Sequence, residues 1–455
     1  MDRAWLPSWM KWFRALAEHA RNSGLTRPQL LELQRRKFRR LVRHAASRSP
    51  YYAGIVRERR IDVESCRVED FPVLRKADVV ERFDEIVTVP NIDRRSVGDF
   101  LRRSSDPRDV LHGRYHVVHS SGSSGTTAIY VYDHDEWIQG CSLFMRSSPL
   151  RKLRRRVAFV GATRGHFAGV SMMLNGTTGL NRLFFDIALV DVGDPFEKIV
   201  ADLNRFRPDT LAGYATTVKC LAQAQRDGRL KIKPDEVGIG SETIRSEDRH
   251  FIEAVFGVRV LNVYSTCECL HMGMPLTDDD SMYLMEDEMI FELHEDYTCV
   301  TNLFNWTMPL IRYRFDDVLQ PADEGESPLP FQRVKNVVGR LEATLEFIRP
   351  DGSSESLHPA LVETFYAPGI VTWQVEQRAV DAIEFRAVYE DGLAAENRRQ
   401  VAAAVARKIA KVLRAKKLEH VRFELREVAE LNPDPRTGKF RIIIPLGERT
   451  VSVSS

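Results

Sequence analysis

The chain is 455 residues long, 29% of its residues are charged, and its formal net charge is +2. This length predicts two or three domains, and so small a net charge gives no reason to expect a nucleic-acid partner. No apolar run reaches the roughly eighteen residues of a membrane span. The six cysteines show neither zinc-site spacing nor a secreted disulfide framework. We therefore expect a cytoplasmic protein without a signal peptide or a transmembrane segment.

The first predicted element is a tryptophan-rich helix. Trp9, Trp12, Phe13 and Leu16 follow the i, i+3, i+4, i+7 spacing of one helical face. We expect that face to pack on the protein's own body, and a membrane surface or a partner groove is the alternative. A basic helix follows from about residue 30, and Pro50 ends it.

A polar loop lies between two apolar runs and reads HSSGSSGTT over residues 119–127. The runs at 115–118 and 129–131 predict a strand on each side of it. Glycines allow backbone N–H groups to approach an anion closely, and hydroxyls add donors, so the loop is typical of phosphate binding. A flexible linker is the alternative, whereas a Walker A loop would need a Gly-Lys-Ser/Thr that is absent. The candidate phosphate contacts are Ser120, Ser121, Gly122, Ser123, Ser124, Gly125 and Thr126.

Apolar runs alternate with helical patterns between residues 156 and 264. Strands of four to six residues separated by helices of ten to thirteen predict βαβ units and a mostly parallel sheet. Ligands of such sheets bind at the carboxyl ends of the strands. The residues predicted to surround one crevice there are Gly161, Gly213, Gly240, Ser241, Glu242 and the run 264–268.

The pattern changes after residue 288. Strand–turn–strand segments over 289–318 predict an antiparallel subdomain. Two helices and two strands follow, and they predict a small α+β domain. We place the boundary at Gly339, which gives domains of 1–338 and 339–455.

Five short motifs occur in a fixed order along the chain. They are SSGSSGTT, YSTCE, IRYRFDD, GRLEA and PRTGK. Over about residues 35–441 the sequence resembles the adenylate-forming (ANL) superfamily, in its phenylacetate–CoA ligase, coenzyme F390 synthetase and CapK-like branch. The resemblance implies an α/β fold. A large adenylation domain of several subdomains would hold mostly parallel sheets and an antiparallel part, and the small C-terminal domain would be mobile.

The resemblance also implies a role for each motif residue. Lys439 would bridge carboxylate and phosphate oxygens, Glu268 would hold Mg²⁺, and Asp317 would accept the ribose hydroxyls. Arg340 would assist catalysis at the ribose or phosphate. Nucleotide contacts are implied for Gly240, Ser241, Glu242, Tyr264 (stacked on adenine), Ser265, Thr266 and Arg340.

The region that would hold the substrate acid is less specific. Its candidate lining residues are Gly161, His166, Phe167, Gly213 and Tyr214. His166 is either a polar contact to the substrate or a buried structural histidine, and Arg164 is an alternative contact for a second carboxylate.

The implied reaction activates a small carboxylic acid, aromatic or of medium chain length, with ATP. The acyl-AMP would then react with the thiol of CoA or of the phosphopantetheine arm on an acyl carrier protein. Ser265, Cys267 and Asp316 depart from the family motifs. The segment after Arg340 also departs, with Glu342 in place of the usual hinge aspartate, and it leaves the acceptor open. Two alternatives are transfer of AMP itself to a hydroxyl, and a non-catalytic nucleotide-binding relative. A zinc site at Cys267, Cys269 and His271 is a weak hypothesis because no second ligand pair has zinc spacing. A homodimer is also left open.

Overall fold

The structure is a computed structural model. It describes residues 7–120, 128–147, 154–175, 183–240, 244, 246–278, 281–295, 297–322, 327–338, 345–357, 369–389, 392–431 and 443–446. None of the helices in this part of the chain is both long and apolar enough to cross a bilayer.

Helices form the N-terminal part. The first three are α1 (Ser8–Ser23), α2 (Arg27–Arg48) and α3 (Pro50–Arg59), and the shorter α4 (Lys76–Glu81), α5 (Phe83–Ile86) and α6 (Arg94–Arg103) follow. Pro50 ends the basic helix as predicted, and it also opens α3, where its missing N–H costs nothing at the first helical position. The Ser49 side chain accepts a hydrogen bond from the Tyr52 N–H and caps α3.

The strands predicted on either side of the polar loop are present. They are β1 (Tyr115–His119) and β2 (Ile129–Asp133), which pair antiparallel with His119 opposite Ile129. Helix α7 (His134–Ser142) begins directly after β2.

The alternating region forms the predicted βαβ units. Its elements are β3 (Arg155–Gly161), α8 (Ala168–Asn175), β4 (Phe185–Asp191), α9 (Phe196–Phe206), β5 (Thr210–Tyr214), α10 (Ala215–Arg226), β6 (Glu236–Gly240), α11 (Ser246–Phe256) and β7 (Val260–Thr266). The strands β4, β3, β5, β6 and β7 lie side by side and parallel. Sequence analysis did not find β4, which is the outermost strand at this end of the sheet.

Antiparallel strands continue the sheet beyond β7. They are β8 (Leu270–Met274), β9 (Met282–Leu284), β13 (Val318–Pro321) and β14 (Arg333–Val338), and the full order is β13-β14-β9-β8-β7-β6-β5-β3-β4. A separate antiparallel sheet of β10 (Met289–Leu293), β11 (Thr298–Asn302) and β12 (Tyr313–Phe315) confirms the predicted hairpins.

The C-terminal part is a smaller α+β domain. It contains β15 (Leu345–Ile348), β16 (Ser354–Leu357), β17 (Ile370–Ala379), β18 (Ala382–Tyr389), α12 (Ala395–Ala415), β19 (Arg422–Glu427) and β20 (Ile443–Ile444). The predicted long helix and the strands near residues 383 and 421 are present. The other predicted helix, at Val362, lies outside the described residues, and β15, β16, β17 and β20 were missed. The predicted boundary at Gly339 lies outside the described residues, so it stays a prediction.

Polar contacts join the C-terminal domain to the parallel sheet region. The Lys416 Nζ donates a hydrogen bond to the Asp194 carbonyl oxygen at 3.1 Å, just before α9. The Arg349 guanidinium lies 3.6 Å from the Glu197 carboxylate. The domain therefore contacts the carboxyl-end side of the parallel strands, where the predicted crevice lies.

Candidate functional site

The carboxyl ends of neighbouring strands meet at one edge of the main sheet. Strands β3, β5, β6 and β7 are adjacent, and Gly161, Tyr214 and Gly240 are the last residues of the first three. A Cβ on Gly213 would lie 2.6 Å from the Val160 carbonyl oxygen, so no side chain fits there. The sheet thus brings the predicted crevice residues to one edge, as the order of apolar runs indicated.

The polar loop is closed at its base. The Ser120 N–H donates to the Ala128 carbonyl at 2.9 Å, and the Ser120 Oγ accepts from the Ala128 N–H at 3.0 Å. These reciprocal bonds extend the β1–β2 pairing by one step. The loop residues Ser121, Gly122, Ser123, Ser124, Gly125 and Thr126 lie outside the described residues.

Glu268 lies in the turn between β7 and β8, with only 8% of its surface exposed. Its Oε1 accepts hydrogen bonds from the hydroxyls of Tyr130 at 3.0 Å and Tyr313 at 3.3 Å. The Asn302 side-chain amide donates to the Glu268 backbone carbonyl at 3.3 Å and fixes the turn. In the part of the chain that the structure describes, no Lys or Arg forms an ion pair with this carboxylate.

The tyrosines around Glu268 keep their protons. Burial first, and then the Glu268 charge, raise the pKa of the Tyr130 hydroxyl well above its ordinary value. Tyr130 and Tyr313 also hydrogen-bond each other at 2.9 Å. Because Tyr130 keeps its proton, it remains a hydrogen-bond donor to the Glu268 carboxylate.

Hard carboxylate oxygens are the ligands that Mg²⁺ prefers, and Mg²⁺ is commonly bound by one or two carboxylates together with phosphates. Both tyrosine hydroxyls donate to Oε1 of Glu268, and the Cys267 thiol also hydrogen-bonds this carboxylate. The donor set of Glu268 therefore fits the Mg²⁺ role implied by its motif.

Tyr264 and Asp317 meet at the same end of the sheet. The Tyr264 hydroxyl donates to the Asp317 Oδ2 at 2.8 Å, so the carboxylate keeps its other oxygen for a further donor. Burial, and then the Asp317 charge, raise the pKa of Tyr264 well above its ordinary value. The neighbouring Asp316 differs, because its side chain is 70% exposed and pairs with Arg314 at 3.4 Å. The additional carboxylate of the motif thus points to solvent.

Two of the predicted lining residues of the substrate-acid region, His166 and Phe167, contact the base of the polar loop. The His119 N–H donates to the His166 carbonyl at 3.1 Å, and the rings of His119 and Phe167 meet edge to face with centroids 4.7 Å apart. The His166 side chain itself is 2% exposed, lies 3.2 Å from the Ser104 hydroxyl and packs on Phe100. Burial lowers its pKa. Of the two interpretations of His166, the contacts favour the buried structural histidine.

Two other residues of this region have protein partners. The Tyr214 hydroxyl accepts from the Ala162 N–H at 3.2 Å, across the ends of β3 and β5. Arg164 is 77% exposed and lies 3.8 Å from Asp191. The alternative in which Arg164 binds a second substrate carboxylate is therefore not favoured.

Sequence analysis missed Lys76. Backbone hydrogen bonds join Leu74 to Arg312 at 3.0 Å and to Arg314 at 2.9 Å, which ties the start of α4 to β12. Although burial raises the pKa of the Cys267 thiol well above its ordinary value, the Lys76 charge acts in the opposite direction. Lys76 thus brings a positive charge near the Glu268 turn. Its position depends on the backbone hydrogen bonds of Leu74 with Arg312 and Arg314, which the sequence does not reveal.

The cysteines of the turn remain protonated thiols. Burial raises the pKa of Cys267 and of Cys269 well above their ordinary values. The His271 Nδ1 lies 2.7 Å from the Ser265 hydroxyl, and the Thr266 hydroxyl accepts from the Cys269 N–H at 3.2 Å. Within the described ranges these residues do not form a three-ligand metal group. Ser265 and Thr266, predicted as nucleotide contacts, are used in the protein's own hydrogen bonds.

No protein-family model matches the chain. It is 22% identical over 375 residues to Protein CapK of Staphylococcus aureus, covering 78% of this chain and 77% of that protein. It is also 22% identical over 319 residues to phenylacetate–coenzyme A ligase of Thermus thermophilus, covering 65% of this chain and 66% of that protein.

Solved structures agree in fold. One of 2-hydroxyisobutyryl-CoA ligase with 2-HIB-AMP and CoA in the thioesterification state has a TM-score of 0.60 and 17% identity, covering 94% of this chain and 91% of that one. The same ligase in the postadenylation state with 2-HIB-AMP gives a TM-score of 0.57 and 16% identity, covering 94% and 91%. The two relatives match the predicted resemblance to the phenylacetate–CoA ligase and CapK-like branch of the adenylate-forming (ANL) superfamily, and the solved structures share the fold of this chain.

The remaining motif residues lie outside the described residues. They are Ser241, Glu242, Arg340 and Lys439. Their predicted roles, including that of Lys439 as the catalytic lysine, stay predictions.

A second group of buried carboxylates lies in the turn after β9. Glu286, Asp287 and Glu288 are 3%, 0% and 1% exposed. Asp287 accepts two hydrogen bonds from Arg146, at 2.6 Å and 2.9 Å, and one from Asn22 at 2.9 Å.

The other two carboxylates of this acidic turn are also paired. Arg27 forms a two-pronged pair with Glu286, and the Lys37 Nζ lies 2.6 Å from Glu288. His19, Asp287 and Glu288 bring ligand atoms within 4.8 Å of one another, which is a spacing suited to a metal. Because Arg146 and Lys37 already neutralise the two carboxylates, we assign this cluster to folding.

Proposed function

We propose that the protein activates a small carboxylic acid with ATP and transfers the acyl group to a thiol. In the first step a carboxylate oxygen attacks the α-phosphorus of ATP, so that one O–P bond forms, the bond to the β-phosphate breaks, and pyrophosphate leaves. In the second step a thiolate attacks the acyl carbon and AMP leaves. The thiol belongs to CoA or to the phosphopantetheine arm of a carrier protein.

One observation carries this proposal. The Glu268 carboxylate, which forms no ion pair with a described Lys or Arg, and the Tyr264–Asp317 pair occupy the carboxyl end of the same parallel sheet, next to the base of the Gly/Ser loop. A site that joins two anions must supply positive charge and hold both groups in line. Mg²⁺ bound at Glu268 would supply charge that screens the phosphates.

The protein's own residues support binding of the nucleotide. Asp317 would use its other carboxylate oxygen to accept from ribose hydroxyls, and its bond to the Tyr264 hydroxyl would hold that ring in position to stack on adenine. Lys76 adds a positive charge near the phosphates. Lys439, carried by the predicted mobile domain of residues 339–455, would neutralise the attacking carboxylate and the phosphate oxygens.

The residues near the proposed acid pocket favour a substrate that is uncharged apart from its reacting carboxylate. The buried His166 bonds within the protein, and Phe167 contributes an aromatic ring beside His119, whose pKa burial lowers. An aromatic or medium-chain acid is therefore the proposed substrate class. The name of one relative, a phenylacetate–coenzyme A ligase, supports an aromatic acid.

The test is acid-dependent exchange of pyrophosphate into ATP, measured without CoA across aryl, hydroxyaryl and aliphatic acids. We expect exchange with one class of acid and its loss in Lys439→Ala, and added CoA should then give AMP and a thioester by mass spectrometry. A product that retains AMP would instead establish nucleotidyl transfer. Tight ATP binding without exchange on any acid would contradict the proposal.

A further inference from the structure

Helix α1 is attached to the protein through its polar side. The Asn22 side-chain amide donates to Asp287 at 2.9 Å, and the His19 Nε2 lies 2.8 Å from the Ser142 hydroxyl. Nearer the start of the helix, Lys11 pairs with Asp135, and the Ser8 hydroxyl lies 3.0 Å from the His134 Nε2. The residues that hold α1 in place are therefore mostly polar.

The opposite side of the same helix is apolar and exposed. Trp9, Met10 and Phe13 are 42%, 38% and 60% exposed, and the rings of Trp9 and Phe13 meet edge to face with centroids 6.2 Å apart. A helix on the surface of a soluble protein normally buries its apolar stripe. Grouped exposed aromatic side chains mark an interaction site rather than a random surface residue.

The charge of this region is also unusual. Residues 8–48, which span α1 and α2, contain eleven lysines and arginines against two glutamates, a net charge of +9 in a chain whose net charge is +2. The exposed Arg14, Arg21, Arg36 and Arg48 form no ion pair with a described residue. Arg14 lies one turn after Met10, next to the apolar side chains.

We propose that this aromatic face, defined as Trp9, Met10 and Phe13 with the flanking Arg14 and Arg21, docks the protein on an anionic lipid surface. Tryptophan favours the boundary between lipid headgroups and acyl chains, because its ring is apolar and its N–H can remain hydrated. Basic residues attract the helix to anionic headgroups, and shallow insertion of the apolar side chains then holds it there. The exposed Arg14 and Arg21, which form no ion pair with a described residue, select this partner over an apolar protein groove.

The test uses the full chain and vesicles sedimented after mixing. Vesicles of phosphatidylcholine with phosphatidylglycerol should bind the protein, and binding should weaken as salt is added, whereas vesicles of phosphatidylcholine alone should bind it poorly. The double variant Trp9→Ser/Phe13→Ser should bind anionic vesicles at least about tenfold more weakly, since both rings lose their contact with lipid. Arg14→Ala/Arg21→Ala should lose about fivefold per charge removed.

A matched control removes exposed apolar side chains elsewhere. Leu183 and Val380 are 64% and 45% exposed, and Leu183→Ser/Val380→Ser should leave vesicle binding unchanged. Acid-dependent pyrophosphate exchange of each variant reports whether it is folded. The proposal is overturned if the wild-type chain does not bind anionic vesicles. It is also overturned if Trp9→Ser/Phe13→Ser abolishes self-association and leaves vesicle binding intact, which would make this face a contact between copies.

Discussion

Two groups of buried carboxylates in this molecule are stabilised in different ways. At the acidic turn 286–288, each carboxylate has an arginine or lysine partner, and Arg146 lies 2.6 Å from Asp287. Glu268 is also largely buried, but its protein partners are tyrosine hydroxyls. The comparison separates a carboxylate whose charge is already neutralised by the fold from one that can still accept a cation.

The energetic consequences differ accordingly. Although burial opposes ionisation of Asp287, the Arg146 charge and the hydrogen bonds hold its pKa well below its ordinary value. Removing one partner of such a pair leaves a buried charge without compensation. At Glu268 the partners are neutral donors, so an uncharged amide in its place would leave the fold intact and remove the charge.

The largest effect is expected at the acidic turn. Arg146→Met leaves Asp287 without its cation and should lower the free energy of unfolding by about 3–5 kcal/mol. Urea denaturation measures this loss, and exchange activity of the folded variant should be retained. Arg43→Met is the matched control, because Arg43 pairs with Glu64 where both side chains are half exposed, and it should cause no measurable change. Equal stability of the two variants would remove the distinction between the two carboxylate groups.

A smaller effect is expected at Asp317. Asp317→Asn removes the charge and one acceptor, so the KM for ATP should rise about tenfold. Asp316→Asn provides the neighbouring control, since that side chain is exposed and bound to Arg314. Steady-state exchange kinetics measure both. A rise in KM for Asp316→Asn, with none for Asp317→Asn, would show that the ribose position has been assigned to the wrong carboxylate.

The smallest effect concerns the histidines near Glu268. Burial lowers the pKa of His119 and of His271 to about 4. Because the folded pKa lies below the unfolded value, the contribution to stability is full above pH 6.5 and is lost as pH falls towards 4. As the pH falls from about 7 to about 5.5, each of these histidines should therefore lower the free energy of unfolding by about 1 kcal/mol.

Urea unfolding at a series of pH values checks this effect. His271→Asn should reduce the slope of stability against pH, whatever its effect on absolute stability. An unchanged slope would mean that His271 does not stay neutral in the folded protein.

The main sheet and the crevice were predictable because their signals are local. Apolar runs of strand length and terminal glycines placed Gly161, Gly213 and Gly240 at one edge. The strands β4 and β17 were missed. Lys76 also escaped notice, because its position depends on the backbone bridge from Leu74 to Arg312.

Two further features could not be predicted, because they depend on contacts between distant parts of the chain. The arginines that pair with the acidic turn, Arg146 and Arg27, lie 141 and 259 positions away in the sequence, so these ion pairs could not be matched from the sequence. Periodicity placed Trp9, Trp12 and Phe13 on one helical face. The expected packing on the protein's own body is confirmed for Trp12, but it was wrong for the exposed Trp9 and Phe13. Hydrophobic periodicity shows which residues share a helical face, but it does not show whether that face packs on the protein or is exposed to solvent.

The most direct test of the account compares the same substitution in the two carboxylate groups. Glu268→Gln and Glu288→Gln are each assayed for magnesium-dependent, acid-dependent pyrophosphate exchange and for urea unfolding. The account predicts that Glu268→Gln loses about 100-fold in exchange rate with little change in stability, because the tyrosine hydroxyls can donate to the amide oxygen. Glu288→Gln should lose about 1–3 kcal/mol of stability and keep its exchange rate when folded, because the buried Lys37 loses the nearer of its two carboxylate partners and keeps Glu18 at 3.3 Å. Retained exchange in Glu268→Gln would contradict the account.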